Sequence, residues 1–271
     1  MKKLFCTFIV LLLTTFQLYA VHVKSSDHDS ELVEQLIKRA RNGDAEALLN
    51  LSRCYKEGCG VKQSDLNSIM MYYVYTESTD KDFGDYVSSL GENDPFIILT
   101  NILDKHYSVD YVMEKASLLR DSRPGDARML DAVCIVTTQE KPDNVLVEKI
   151  LKEAEEKGSE LSSLLLCIFY DKINSDKCTE YIIKRASTYP ILYNIASSKM
   201  YAKYVREGKK DFTLLCKSAE CLMQADAYGA LLPEKASRLL DMIAEHGDKV
   251  LKCTKADLKR LTKIAHNGKT I

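Results

Sequence analysis

Apolar side chains recur at three- and four-residue intervals from about residue 31 to about residue 267. This spacing places them on one face of an α-helix. Three stripes show the pattern: Leu32, Leu36, Ile37 and Ala40; Leu146, Ile150, Leu151 and Ala154; and Leu239, Leu240, Ile243 and Ala244. Alternation typical of strands is scarce, and only Asp131 to Thr138 is ambiguous on propensity. The pattern therefore predicts an all-α protein.

Breakers divide this pattern into fourteen helical segments, joined by connectors short enough for antiparallel neighbours. The breakers themselves repeat: Ala-Arg-Asn-Gly-Asp at 40–44 is matched at 244–248, with looser copies at 154–158 and 265–268. Each Gly can end a helix in a left-handed conformation, and a following Asp can cap the next helix. A Lys shortly before an Ala also recurs, about 32–38 residues apart in the later copies. A two-helix unit of this length predicts an α/α superhelical solenoid of about six to seven repeats.

The start of the chain has the order of a secretory signal peptide. Lys2 and Lys3 are followed by the apolar run Leu4 to Leu13 and then by a weakly polar stretch that ends at Ala20. We expect cleavage after Ala20. The alternative is an uncleaved anchor, although the apolar stretch is short for a span of about twenty residues.

The predicted organisation is thus a signal peptide over 1–20, a flexible leader over 21–30 and a helical repeat domain over 31–271. It implies export to the periplasm or to the outside of the cell, with no stable membrane span after cleavage. The Lys-Lys start suggests a bacterium. Lys and Arg total 38 against 39 Asp and Glu, a net charge of −1, which argues against a nucleic-acid partner because such proteins favour a basic stripe.

One segment, Gly43 to Val61, carries a recognisable motif. It contains Gly-Asp, an Ala, a Leu followed by a small residue, a Tyr and Gly-x-Gly-Val. This segment resembles the Sel-like repeat, a relative of the tetratricopeptide repeat. Units that begin at 125–126 and 158–159 match in part, with Cys134 and Cys167 in the small-residue position. The resemblance implies a helical array that acts as an adaptor for a protein or peptide, with no catalytic residue and no cofactor to carry over.

Motifs for metal binding or catalysis are weak. The five histidines form no i, i+4 pair, and Cys54 and Cys59 lie outside the usual zinc spacing, so we predict no metal site. Ser78 and Lys81 satisfy Ser-x-x-Lys, the first motif of penicillin-interacting enzymes, but no Lys-Thr-Gly follows. Because some cysteine-rich relatives of the repeat family are associated with penicillin binding, a β-lactamase-like hydrolase is the alternative function.

Eight cysteines follow the signal segment, and an oxidising compartment would permit disulfides. If the helices near 160–171 and 175–187 fold back on each other, Cys167 lies almost opposite Cys178. This pair is the candidate disulfide, although Cys167 would equally fill a small-residue position. Cys216 and Cys221 should not pair, because five residues along one helix place them about 140° apart.

The function predicted from the sequence is that of an exported, non-catalytic scaffold for a protein or peptide partner. Glu46, Asn50 and Arg53 lie between the apolar positions of the best-matched unit and are the candidate binding residues. Helix-spaced tyrosines, including Tyr201 and Tyr204, are either core residues or aromatic binding anchors.

Overall fold

A computed structural model describes residues 29–105, 108–173 and 175–267. The predicted signal peptide over 1–20 and residues 21–28 of the predicted leader lie outside this range. The first described helix begins at Asp29. The last two residues of the predicted leader are therefore helical.

Within the described residues the regular structure consists of fourteen α-helices and one short 3₁₀ helix, with no strand. In chain order these are α1 Asp29–Arg41, α2 Ala45–Glu57, α3 Asp65–Glu77, α4 Gly84–Ser89, α5 Pro95–Lys105, α6 Val109–Leu119, α7 Pro124–Thr138, α8 Asn144–Glu156, α9 Glu160–Ile173, α10 Ser175–Ala186, α11 Leu192–Arg206, α12 Phe212–Ala227, α13 Pro233–His246, the 3₁₀ helix Gly247–Lys249, and α14 Lys255–His266. The ambiguous segment 131–138 is helical, at the end of α7. The all-α fold class is confirmed.

Polar caps define where several helices begin. The Asp44 and Ser64 side chains accept hydrogen bonds from first-turn N–H groups of α2 and α3, which satisfies donors that a helix leaves unpaired at its start. Thr254 and Asp257 form a reciprocal capping box at the start of α14. At the other end of α2, Gly58 adopts the left-handed conformation with φ 75°. The breakers that divided the sequence thus act as helix caps.

Residues 82–178 form one compact unit of helices. In it α6 packs on α7, α7 on α8, and α8 on α9. The Ser159 hydroxyl donates a hydrogen bond to the Asp126 carboxylate at 2.7 Å, although the two residues are 33 positions apart. They occupy corresponding positions, one after each Gly of two successive repeats. Helix starts that are one repeat apart in the sequence are therefore in direct contact.

Residues 29–81 and 179–267 form the second compact unit. Here too helices that are consecutive in the chain pack together, α2 on α3, α11 on α12, and α13 on α14. One hydrophobic cluster in this unit includes Leu215, Leu222, Leu239 and Leu261. The predicted packing in consecutive pairs is therefore present in both units.

The second unit also joins helices that are remote in sequence, since α1 packs against α12. The fully buried Asp226 carboxylate of α12 forms ion pairs with Arg41 of α1, at 3.4 Å, and with Arg260 of α14. The Asn67 amide of α3 donates a hydrogen bond to the backbone oxygen of Thr188 at 2.9 Å. These contacts go beyond a pattern in which each repeat touches only its neighbours.

Candidate binding site

The predicted binding residues lie on one outer stripe of α2. Glu46 and Arg53 are exposed, and Asn50 is partly buried. Positions four and seven residues after Glu46 share its helix face. The Arg53 guanidinium donates a hydrogen bond to the side-chain oxygen of Asn50 at 3.4 Å. The structure brings these three residues together, and their role in binding stays a prediction.

The opposite face of α2 holds this stripe in place. Ala47 and Leu51 are fully buried there. The Ser52 hydroxyl donates a hydrogen bond to the backbone oxygen of Ser68 in α3 at 2.9 Å. Ser52 is the small residue after Leu in the repeat motif, and its size lets the two helices approach closely. The α2 stripe is therefore a well-positioned surface, but it lies along a single helix and forms no cavity.

A concave site lies elsewhere in the second unit, between α11, α12 and α13. This α11–α13 cleft has a volume of about 280 Å³. Its walls include Tyr201 and Tyr204 of α11 and Leu215 of α12, and α13 supplies most of the remaining side chains. Tyr204 and Leu215 are almost completely buried. They give the cleft an apolar floor that is continuous with the core of the unit.

Charged groups of both signs surround this floor. The Arg238 guanidinium lies over the Tyr201 ring, 5.3 Å from its centroid, a cation–π arrangement. Lys209 also lines the cleft, as do the acidic residues Glu234 and Asp241. The cleft can therefore offer an aromatic surface, a planar cation and carboxylates to one ligand.

The backbone at the edge of the cleft is unusual. Lys209 has φ 58°, and it is the only non-glycine residue in the left-handed region within the described ranges. It follows Gly208, which is also left-handed with φ 70°. A side chain at such a φ costs about 1 kcal/mol relative to glycine. The fold therefore carries strain at a residue that lines the cleft.

The structure separates the predicted tyrosines into two groups. Tyr204 is a core residue, whereas Tyr201 is partly buried and faces the cleft. Tyr193 stacks on Tyr228 with ring centroids 6.2 Å apart, and burial raises the pKa of its hydroxyl. The sequence did not indicate that Lys209 and Arg238 line a common cleft. The only local sign was Gly208, which marks the end of a helix but says nothing about a cleft.

The candidate disulfide pair lies where the sequence placed it. Cys167 of α9 and Cys178 of α10 are both buried, and the Cys178 thiol donates a hydrogen bond to the backbone oxygen of Cys167 at 3.1 Å. The helices therefore fold back as expected. Both residues are thiols in this structure, so a bridge between them stays a prediction.

The Ser-x-x-Lys match lacks the setting that its chemistry needs. Helix α3 ends at Glu77, so Ser78 and Lys81 follow it in a turn and do not share one helix face. The Ser78 side chain is buried at the end of that helix. The β-lactamase-like alternative is therefore not favoured. Across the described residues, no group of three or more His, Cys, Asp or Glu side chains is arranged to hold a metal ion.

Comparisons with known proteins give one similarity. No protein-family model matches the chain, and no curated protein matches it. The crystal structure of a Sel1 repeat protein from Oxalobacter formigenes is similar at 16% sequence identity and a TM-score of 0.39, over 89% of this chain and 100% of that chain. That protein bears the name of the repeat family that Gly43 to Val61 resembles.

The chain's own helices define its class. It is an all-α protein built of consecutive helix pairs, which is the packing expected of an α/α solenoid. Among the helices that the structure describes, none is both long and apolar enough to cross a membrane.

Proposed function

We propose that the protein is a non-catalytic scaffold that binds a peptide segment of a protein partner in the α11–α13 cleft. The observation that carries this proposal is the arrangement of Arg238 over Tyr201 above a buried apolar floor, with Lys209 held in a strained conformation nearby. Tyrosine and arginine are among the side chains most enriched where binding energy concentrates in protein interfaces.

The charged lining of the cleft favours a peptide over a small organic ligand. Pockets for small molecules are usually about 300–1,000 Å³ and mostly apolar. This cleft, at about 280 Å³, is near the lower end of that range, and it differs from such pockets in having charged groups of both signs around it. It suits one or two side chains of a chain segment that continues beyond the cleft. Such a segment would place an apolar or aromatic side chain on Tyr201 and a carboxylate beside Lys209 or Arg238.

The conformation of Lys209 gives separate support. A glycine would adopt φ 58° without strain, so the fold has no need for a lysine at this position. Strained backbone persists where the surrounding structure holds it in place, and it concentrates at binding and catalytic sites. A role for the ammonium group in binding accounts for its presence.

Photocrosslinking tests this proposal directly. A benzophenone amino acid at Tyr201 should give a discrete adduct with a native protein in the organism's own cells. The same group at Val145, which is 79% exposed on α8, is the control and should give no comparable adduct. No adduct at Tyr201, or identical adducts at both positions, would contradict binding in the cleft.

The sequence-based site on α2 needs its own variant. Triple replacement of Glu46, Asn50 and Arg53 by Ala changes a surface stripe and should leave the circular dichroism spectrum and melting temperature nearly unchanged. If the partner binds only at the cleft, its affinity is unaffected by this change. If the triple variant loses affinity for the partner while variants of the α11–α13 cleft keep theirs, the binding site lies on α2.

We also propose that the scaffold works outside the cytoplasm, on the basis of the charged, apolar and polar order of residues 1–20. Mass spectrometry of the protein from its native cells should then find a mature N-terminus near Val21. An intact N-terminus at Met1 in cytoplasmic protein would contradict export.

A further inference from the structure

Two cysteines meet at the end of α2. Cys54 lies in the last turn of the helix and Cys59 follows Gly58, the left-handed residue at which the helix ends. The backbone N–H groups of Gly58 and Cys59 both donate hydrogen bonds to the backbone oxygen of Cys54, at 2.8 and 3.0 Å. The second of these is the six-residue hydrogen bond of a Schellman motif, in which the side chains at these two positions commonly contact each other.

This hydrogen bond limits how far apart the two cysteines can be. The N–H nitrogen of Cys59 lies about 1.5 Å from its own Cα, and a carbonyl oxygen lies about 2.4 Å from the Cα of its residue. With 3.0 Å between nitrogen and oxygen, the two Cα atoms cannot be more than about 7 Å apart, even if all the atoms were in line. The bent path of a real turn brings them closer. Disulfides need a Cα separation of about 4.4–6.8 Å.

The side chains support the same contact. Cys54 and Cys59 are 7% and 6% exposed. Burial and then the proximity of Cys59 raise the pKa of the Cys54 thiol to about 11. The two thiols are therefore close enough to influence each other, and the Cys59 thiol also donates a hydrogen bond to the Glu57 carboxylate at 3.8 Å.

We propose that Cys54 and Cys59 form a dithiol pair that closes to a disulfide across the end of α2. The oxidant would be a small-molecule or protein disulfide. One thiolate attacks it and releases one reduced thiol, giving a mixed disulfide, and the second thiolate then displaces the other thiol. Two protons and two electrons leave the cysteine pair, and the oxidant is reduced to two thiols.

The bridge would fix a turn on which another helix rests. The next residue, Gly60, has no room for a side chain because the backbone of Asp29 and Ser30, at the start of α1, lies against it. A closed disulfide would fix the turn that carries Gly60 and so stabilise its contact with the start of α1. After reduction, only backbone packing would stabilise this contact. The site is thus a redox-sensitive staple across the end of α2, at the turn against which the start of α1 packs.

The chain contains a matched comparison. Cys216 and Cys221 have the same five-residue spacing, but both lie within the uninterrupted helix α12. Five residues of continuous helix turn the second side chain about 140° away from the first. The Cys216 thiol instead points to the backbone oxygen of Lys249, at 3.5 Å. Spacing alone therefore predicts no bridge, and the left-handed Gly58 makes the difference.

Peptide mapping without reduction tests the inference. The purified full chain is equilibrated in a buffer of oxidised and reduced glutathione, quenched with acid, alkylated and digested with trypsin. Cleavage after Arg53, Lys56 and Lys62 places the two cysteines in separate peptides, 54–56 and 57–62. We expect these peptides to be recovered mostly as one linked pair that dithiothreitol separates. Cys216 and Cys221, in peptides 211–217 and 218–235, should remain alkylated.

Three outcomes would overturn the proposal. The first is recovery of peptides 54–56 and 57–62 in alkylated or glutathione-bound form only. The second is linkage of either cysteine to a different partner. The third is a bridge between Cys216 and Cys221 of equal yield, which would show that five-residue spacing suffices without a turn. None of these outcomes bears on binding in the α11–α13 cleft.

Discussion

At the scale of single residues, Glu148 of α8 is a partly buried carboxylate that bonds to three neighbouring side chains. One of its oxygens accepts hydrogen bonds from Tyr170 of α9 at 2.9 Å and from Lys177 of α10 at 2.7 Å, and pairs with Lys152 at 2.8 Å. Burial alone would raise the pKa of Glu148, but these three donors lower it to about 2. One side chain thus links three successive helices.

Replacement of Glu148 by Gln should lower the free energy of unfolding by about 1–3 kcal/mol at pH 7. The carboxylate has its low pKa only in the folded state, so its contribution is complete above pH 4.5 and is lost as the pH falls toward 2. The difference between wild type and Glu148→Gln, measured by urea unfolding, should therefore shrink over this range. Glu156→Gln, at an exposed position of the same helix, is the control. A difference independent of pH would contradict this account.

At the scale of helices, the sequence predicted the existence and approximate bounds of the elements well, but their orientation less well. In α1 the predicted stripe included Leu32, whereas the structure buries Val33 and leaves Leu32 42% exposed. In α13 the predicted stripe included Ala244, which is exposed, while Met242 is buried. Helical spacing is a local property of the chain. The buried face also depends on which neighbours cover the helix, and a single sequence does not specify them.

A glycine at the start of α7 shows how closely these helices approach. A Cβ atom at Gly125 would lie 2.6–2.8 Å from backbone atoms of Ala154, Lys157 and Ser159. Backbone cannot move aside as the end of a flexible side chain can. At this Gly-Asp pair the glycine thus serves contact with the following repeat, whereas at Gly43-Asp44 the aspartate caps the next helix.

Gly125→Ala should therefore destabilise the protein by about 1–3 kcal/mol, although alanine favours a helix more than glycine does. The matched control is Gly91→Ala, because a Cβ at Gly91 meets nothing within 4 Å. Thermal unfolding followed by circular dichroism compares the two variants. Equal melting temperatures of Gly125→Ala and Gly91→Ala would show that the close backbone contact at Gly125 does not destabilise the alanine variant.

At the scale of the whole molecule, the contacts that could not be predicted are those between remote segments. The ion pairs of Asp226 with Arg41 and Arg260 join α12 to α1 and α14 within the second unit. No repeat period indicates such a contact, because Asp226 and Arg260 lie outside the repeated motif. The α11–α13 cleft was missed for a similar reason, since Lys209 lies in the connector after α11 and Arg238 lies on α13, with no shared sequence pattern.

Asp226→Asn should cost about 2–4 kcal/mol of unfolding free energy, because it leaves two guanidinium groups around a buried neutral side chain. Asp121→Asn, in an exposed turn, should change stability by less than about 0.5 kcal/mol. Urea denaturation measures both. Equal stability of the two variants would mean that Asp226 does not hold the remote helices together.

The central claim, that the α11–α13 cleft binds a peptide segment of a protein partner, is tested most directly at Lys209. Isothermal titration calorimetry would measure the affinity of the crosslinked partner for wild type, Lys209→Gly and the charge-preserving control Lys209→Arg. Glycine relieves the strain at φ 58°, so Lys209→Gly should melt no lower than wild type. We predict that it nevertheless binds at least about tenfold more weakly, whereas Lys209→Arg keeps most of the affinity. Unchanged affinity in Lys209→Gly would contradict the claim.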